Sequence, residues 1–305
     1  MKKENEANKN KKMSLEYDFL MMITMMISIS ISITSATPSP TIVLAQVDGT
    51  LIQGIDSKGE ILWSWKFPAS PEGVGTFSIA SSGRGVWWSA GNTVWRAHFN
   101  SIVEMTTNNN RINFTSVSTE INGLCSFGGF VVCVVEAHRI SAFSATTGKP
   151  LTSWAFEPET TLWNCVMTTK EKLVTRTNDK MIEFNILTGE RTIVEVNKSL
   201  ARPIFEHDIS MTTKTGKEVI ALTHGNTGDA FVSVGNFKDD GSWKTMKLES
   251  LVRPISVAVL ADEPGWPMFY TDFSTDSWLF SIDGKGNQRK VMKLEKMAVV
   301  AHVMS

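Results

Sequence analysis

A stretch of apolar, β-forming residues recurs six times along this chain at a nearly constant interval. It begins at Ile42 (IVLAQ), Gly85 (GVWWSA), Phe130 (FVVCVV), Lys172 (KLVTR), Glu218 (EVIAL) and Pro267 (PMFYT). The intervals are 43, 45, 42, 46 and 49 residues. A repeat of roughly 40–50 residues holding four strands is the size of one propeller blade. The same events follow the runs. A short turn comes first, such as Asp48-Gly49, Gly91-Asn92 or Asn178-Asp179, and then a second strand, as at 51–56 or 182–187. A Gly turn follows (Lys58-Gly59, Thr147-Gly148, Thr188-Gly189, Gly284-Lys285-Gly286), and a third strand closes the set, as at 61–67, 150–156 or 191–196. Gly and Asn at these points supply the positive φ that tight turns between twisted strands require. These three strands are named B, C and D.

A further β-rich stretch precedes each later B strand, at 76–82, 120–127, 162–168, 205–212 and 255–261. These read as the inner strand A of each blade. The first B strand has no such partner before it, but an orphan strand, MAVVAHVM, stands at 297–304. Pairing it with the first B-C-D set gives six A strands for six sets and leaves no blade open to template aggregation. The expectation is an all-β chain folded as a six-bladed β-propeller, with the C-terminal strand closing the first blade. A β-sandwich or two small all-β domains would need neither the constant period nor the orphan strand. No helix of useful length is visible after residue 41.

The N-terminal residues stand apart. Residues 1–12 carry Lys2, Lys3, Lys9, Lys11 and Lys12; residues 19–33 are apolar, diluted by Ser and Thr; Thr34 and Ala36 then offer small side chains. A basic segment, a short apolar run and a small-residue exit make a signal-peptide layout. The run falls short of the ~20 residues that span a bilayer. The division expected is a signal peptide at 1–36 (a signal anchor is the alternative), a linker at 37–41 and the propeller at 42–305, with no membrane span after cleavage. Met13 as the true start would give a leader of ordinary length. Two acceptor sequences for N-glycosylation follow, at Asn113 and Asn197. Both read as loops leaving a D strand for the next A strand, which gathers the sugars at one end and leaves the opposite end to a protein partner. These features point to secretion or to the secretory-pathway lumen. A formal net charge of -1 suggests neither nucleic acid nor a strongly charged substrate. The chain is read as a monomer.

Several C–D hairpins carry recognisable motifs. Ser144-Ala145-Thr146-Thr147-Gly148-Lys149 with Trp154, and Gly54-Ile55-Asp56-Ser57-Lys58-Gly59 with Trp63, resemble the quinoprotein-type (PQQ-like) propeller repeat, Ala-x-Asp-x-x-Thr-Gly-x-x-x-Trp. Asn185-Ile186-Leu187-Thr188-Gly189-Glu190 is similar but lacks the Trp. Phe269-Tyr270-Thr271-Asp272, followed by Leu279-Phe280-Ser281-Ile282-Asp283-Gly284, is similar to a YWTD repeat of six-bladed LDL-receptor-type propellers. The resemblance extends over 41–305 and implies the fold rather than a chemistry. Quinone-dependent dehydrogenases of this family carry an adjacent Cys-Cys pair, a calcium and a catalytic Asp. No two cysteines are adjacent here, so bound PQQ is not expected. Six-bladed calcium-dependent lactonases use a Pro-Asp-Gly before a B strand; the matching stretch, Arg253-Pro254-Ile255-Ser256, lacks the Asp. Calcium is the one cofactor this resemblance leaves open, and no cofactor is predicted.

The candidate chemistry is sparse. His207 and Asp208 open the fourth A-strand stretch, and His138, His224, Asp229 and Asp272 fall near B–C turns. Convergence of His207, Asp208, His224 and Asp272 would make a pore-mouth metal site, which needs three or more N/O ligands. The alternative is solvated turn residues. Trp63, Trp65, Trp87, Trp88, Trp95, Trp154, Trp243 and Trp278 fall on B, C or D strands, where large rings fill the space between blades. Strand alternation sends Trp87 and Trp88 to opposite faces. Cys125 and Cys133 flank Gly128-Gly129. A two-residue loop sets Cys125 opposite Val132; a three-residue loop sets it opposite Cys133, and only that register allows a Cys125–Cys133 disulfide. Cys165 is then a buried thiol. The reading that results is a non-enzymatic luminal or extracellular propeller that binds protein. Its alternative is a metal-dependent hydrolase or lactonase with a pore-mouth site.

Overall fold

A computed structural model describes residues 42–47, 50–66, 78–82, 85–98, 112–117, 119–127, 130–168, 171–177, 180–194, 209–214, 217–226, 229–236, 243–249, 254–260, 268–272 and 276–304. All lie in the compact unit Ser39–Ser305; the expected signal peptide falls outside them.

The described secondary structure is entirely strand. Blade 1 begins with β1 (Ile42–Gln46), β2 (Leu51–Ile55) and β3 (Ile61–Lys66). Blade 2 is β4 (Ile79–Ser82), β5 (Gly85–Ala90), β6 (Thr93–His98) and β7 (Ile112–Ser116). Blade 3 is β8 (Ile121–Phe127), β9 (Val131–Glu136), β10 (Arg139–Ser144) and β11 (Pro150–Ala155). Blade 4 is β12 (Trp163–Met167), β13 (Lys172–Arg176), β14 (Met181–Asn185) and β15 (Arg191–Val194). Blade 5 is β16 (Ile209–Lys214), β17 (Lys217–Asn226), β18 (Asp229–Asn236) and β19 (Lys244–Lys247). Blade 6 is β20 (Pro254–Val259), β21 (Met268–Asp272), β22 (Trp278–Ile282) and β23 (Gln288–Lys293). The last strand, β24 (Ala298–Met304), completes blade 1, giving the order β3-β2-β1-β24. The chain is a six-bladed β-propeller, closed as its orphan strand requires. β24 runs antiparallel to β1, with Ile42 opposite His302 and Gln46 opposite Ala298. It also makes two parallel pairings with β4, Val303 with Ser81 and Met304 with Ser82, which join blades 1 and 2 into one sheet.

Alternation along each strand gives every blade two apolar faces. Six buried clusters result, one for each interface of the ring. Val43 and Ala45 face Trp88 of blade 2, whereas Ile42 and Leu44 face Phe269 and Leu279 of blade 6. The remaining clusters join blades 2 and 3, 3 and 4, 4 and 5, and 5 and 6. Trp87 and Trp88 divide as expected: Trp88 meets the Trp63–Trp65 pair of blade 1, stacked at 4.0 Å, and Trp87 meets Leu124 and Val132 of blade 3.

Short polar side chains tie the inner strands together. Ser78 Oγ accepts the Leu124 N–H at 2.7 Å, and Ser256 Oγ accepts the Val300 N–H at 2.6 Å. Thr271 Oγ1 donates to the Ala298 carbonyl at 2.6 Å, and Asn122 Nδ2 to the Leu162 carbonyl at 2.8 Å. Each bond crosses from one blade to the next. Gly123 lies so close to the backbone of Asn164 that a Cβ there would overlap it.

The predicted Cys125–Cys133 bridge is replaced by another. Cys125 does stand directly opposite Cys133, but it is bonded to Cys165 on the neighbouring inner strand, with Cα atoms 5.6 Å apart. Direct opposition permits a bridge without selecting it, and the 5.6 Å between the Cys125 and Cys165 Cα atoms lies in the usual disulfide range. Cys133 is the buried thiol, its Sγ 3.7 Å from Met167 Sδ.

Candidate functional site

A propeller offers three surfaces: the end carrying the B–C turns and D–A connections, the end carrying the A–B and C–D turns, and the rim of D strands.

At the first end, the last residue of strand B recurs as a position. It is Gln46, Ala90, Glu136, Arg176, Asn226 and Asp272 in blades 1 to 6. The predicted candidate Asp272 ends its B strand, whereas His224 lies two residues before the end of β17, opposite Phe231. These side chains serve the scaffold where their partners are visible. Buried Glu136 accepts the Thr119 N–H at 3.0 Å and its Oγ1–H at 2.7 Å, which pins the connection entering blade 3. Gln46 accepts from Thr50 Oγ1 at 3.4 Å. Asp272 is buried; burial first and the Asp272 charge second push the Tyr270 hydroxyl upward, while it donates to Gln288 Oε1 at 2.8 Å. His138 is exposed on its turn, with Nδ1 2.9 Å from the Thr160 carbonyl. Asp229 pairs with Lys247 at 3.4 Å. His207 and Asp208 lie outside the described residues. Among the described residues no three His, Cys, Asp or Glu side chains converge as metal ligands. The six inner strands (AVVAHVM, IASS, INGLCSF, WNCVM, ISMTTK and PISVAV) contain no Asp or Glu.

The second end is built on one device. The last residue of strand C, or the one directly after it, turns its side chain onto the backbone of the C–D turn. Asp56 Oδ1 accepts the N–H groups of Lys58 and Glu60, and Asp283 Oδ1 those of Lys285 and Asn287. Asn185 Oδ1 does so for Leu187 and Thr188, and Ser144 Oγ for Thr147. The motif residues that resemble a quinoprotein repeat therefore close turns. Trp154 extends the device across blades: its Nε1–H donates to the Ile186 carbonyl at 3.1 Å, and its ring lies against Gly189, where a Cβ would come within 2.7 Å.

The same end carries apolar side chains that the sequence reading did not single out. The exposed large hydrophobics among the described residues are Ile61, Phe130, Leu187 and Ile193. Phe130 sits on the A–B turn of blade 3 and Leu187 on the C–D turn of blade 4. Ile61 opens β3 directly after a C–D turn, and Ile193 lies on the rim. Leu187 was the available signal, because the other described C–D turns carry Ser57, Thr146 or Gly284 at its place. Asn113, read as a loop residue, instead lies within rim strand β7, opposite Trp95. Asn197 lies outside the described residues.

No family model and no curated protein matches this chain. Solved structures do. A protein of unknown function from Bacteroides caccae matches with a TM-score of 0.56 at 13% identity, over 86% of this chain and 98% of that one. The WD40 domain of Neurospora crassa Pan2 matches with a TM-score of 0.50 at 11% identity, over 88% and 80%. The dihydro-heme d1 dehydrogenase NirN matches at 0.47 and 11% identity, over 86% and 76%. At these identities the likeness is one of fold, and the chain stands among β-propellers.

Proposed function

We propose that this propeller is a non-enzymatic protein-binding module of the secretory-pathway lumen or the extracellular space. The observation that carries this reading is where polar and apolar groups lie. The inner strands hold no carboxylate, and the hydroxyls of Ser78, Ser256 and Thr271 bond across to the neighbouring blade. Large apolar side chains instead reach solvent at the A–B/C–D end, around blades 3 and 4. Exposed aromatic and aliphatic anchors rimmed by polar turns suit a protein partner. The disulfide between the inner strands of blades 3 and 4 suits an oxidising compartment, as does the leader-like N-terminus.

The test compares the secreted protein with its Phe130→Asp, Leu187→Asp double variant. Crosslinking in the secretory lumen followed by mass spectrometry is expected to yield a partner with the wild type and to lose it at least tenfold with the variant. Turnover of lactone or phosphotriester substrates with added calcium, retained by the variant, would overturn the reading.

A further inference from the structure

All three cysteines of the chain fall in one buried cluster, at the seam between blades 3 and 4. Cys125 has a neighbour in each direction. Within its own blade it stands opposite Cys133, on the next strand of the sequence, β9. Across the seam it is bonded to Cys165 on β12, 40 residues further on. Blade 4 covers Cys133 as well: its side chain is fully buried, with Sγ 3.7 Å from Met167 Sδ on β12.

The two partners of Cys125 do not become available together. Blade 3 takes its four strands from one continuous stretch, in the order β11-β10-β9-β8, and a chain is made from its N-terminus. Cys165 meets Cys125 only when β12 docks on β8, where Asn122 donates to the Leu162 carbonyl and Gly123 lies against the Asn164 backbone. Until then Met167, Leu173 and Phe184 of blade 4 do not cover this face, and both thiols of the β8–β9 hairpin are open to an oxidant. The hairpin loop is about a fifth as long as the seam loop, which makes its closure about tenfold more probable.

We infer that Cys133 is a temporary partner: Cys125 is bridged first to Cys133 within blade 3, and the bridge is handed to Cys165 when blade 4 closes the seam. In the first step a small disulfide oxidant such as glutathione disulfide takes two electrons and two protons from the Cys125 and Cys133 thiols and leaves as two glutathione thiols. In the second, the Cys165 thiolate attacks Cys125 Sγ. The Cys125–Cys133 bond breaks, and its electron pair goes to Cys133 Sγ, which takes up a proton. Thiol–disulfide exchange of this kind uses no further oxidant. Closure of the seam sets the direction. Cys133 ends as a neutral thiol among apolar side chains, where burial pushes it up to about 12, so the thiolate needed for the return attack is suppressed. Such a handover needs an oxidising compartment but no protein partner, and it holds or fails apart from the binding reading.

The experiment refolds the full secreted chain from the reduced, denatured state in a glutathione redox buffer, blocks free thiols at intervals and maps the bridged peptides by mass spectrometry. In the wild type the Cys125–Cys133 peptide is expected to exceed the Cys125–Cys165 peptide at least threefold at first. It then decays as the second rises, with one free thiol throughout. Cys165→Ser should hold the first bridge. Cys133→Ser and Cys133→Ala should both form the Cys125–Cys165 bridge at least threefold more slowly, although only the serine adds a hydroxyl to the cluster. Cys125–Cys165 as the first bridge of the wild type, or wild-type rates in both Cys133 variants, overturns the proposal. So does a Cys165→Ser chain in which Cys125 and Cys133 remain thiols, a result that peptide mapping reads whether or not that variant folds.

Discussion

Cys133 stands directly across its blade from Cys125, yet it remains a thiol. Burial pushes that thiol up to about 12, because a thiolate there would lose its hydration. It is therefore a poor nucleophile toward the neighbouring bridge at physiological pH. The Cys125–Cys165 bond closes a segment of 40 residues, and by loop entropy such a bridge stabilises by about 4 kcal/mol. Replacing both cysteines by serine is expected to lower the unfolding free energy by roughly 2–4 kcal/mol in denaturant titrations, with Cys133→Ser leaving the bridge intact. An unchanged midpoint for the double variant would remove the bridge from the account. The sequence does show that Cys125 and Cys133 can share a register. It cannot show which residue of the next blade meets Cys125, because facing inner strands are set by the ring and not by any local spacing. The same limit applies to Glu136 and Asp272. Their types and turns are legible, but their burial is not.

The C–D turns translate a short motif into a structural element, and blade 6 shows how. The Asp283 carboxylate is held below the usual carboxylate range, first by the Asn287 side chain, then by the Asn287 backbone N–H, with further bonds from Lys285 and Gly286. A depressed native pKa means that this turn's extra stability is present above the unfolded value of ~3.9 and is lost as pH falls through the native one. Amide exchange at Lys285 and Asn287, corrected for intrinsic chemistry, is expected to stay slow above about pH 4 and to rise below it. Asp283→Asn keeps the acceptor oxygen without the titration and should flatten the profile; a flat wild-type profile would contradict the account. Elements of this kind are the most legible part of the molecule. Predicted strands such as 51–56, 150–156 and 191–196 match β2, β11 and β15 to within two residues, because period-2 patterning and turn chemistry are local. The rims are less legible. The regular register of β14 with β15 and the bulge between β10 and β11 depend on how two strands settle together.

Closure is a property of the whole ring, and β24 carries it. Ala298, Val299 and Val300 are buried and face both neighbours of blade 1: Val299 joins Val43 and Trp88, whereas Ala298 and Val300 join Leu44 and Phe269. The Val300 N–H also reaches Ser256 of blade 6. One strand thus completes two of the six interfaces while it pairs β1 from the far end of the sequence. Burying a valine contributes roughly 1.5–3 kcal/mol, and an unpaired charge in its place costs several more. A globular domain has only about 5–15 kcal/mol in total. Val300→Asp is therefore expected to unfold the propeller as a unit, with loss of near-ultraviolet signal and simultaneous exposure of Trp63, Trp65 and Trp88 to quencher. Val291→Asp, at a half-buried position on rim strand β23, should cost far less. If Val300→Asp loosened only blade 1 while the blade 3–4 interface stayed protected from exchange, the ring would be a chain of independent blades, and β24 would be a local strand instead of the closure of the fold.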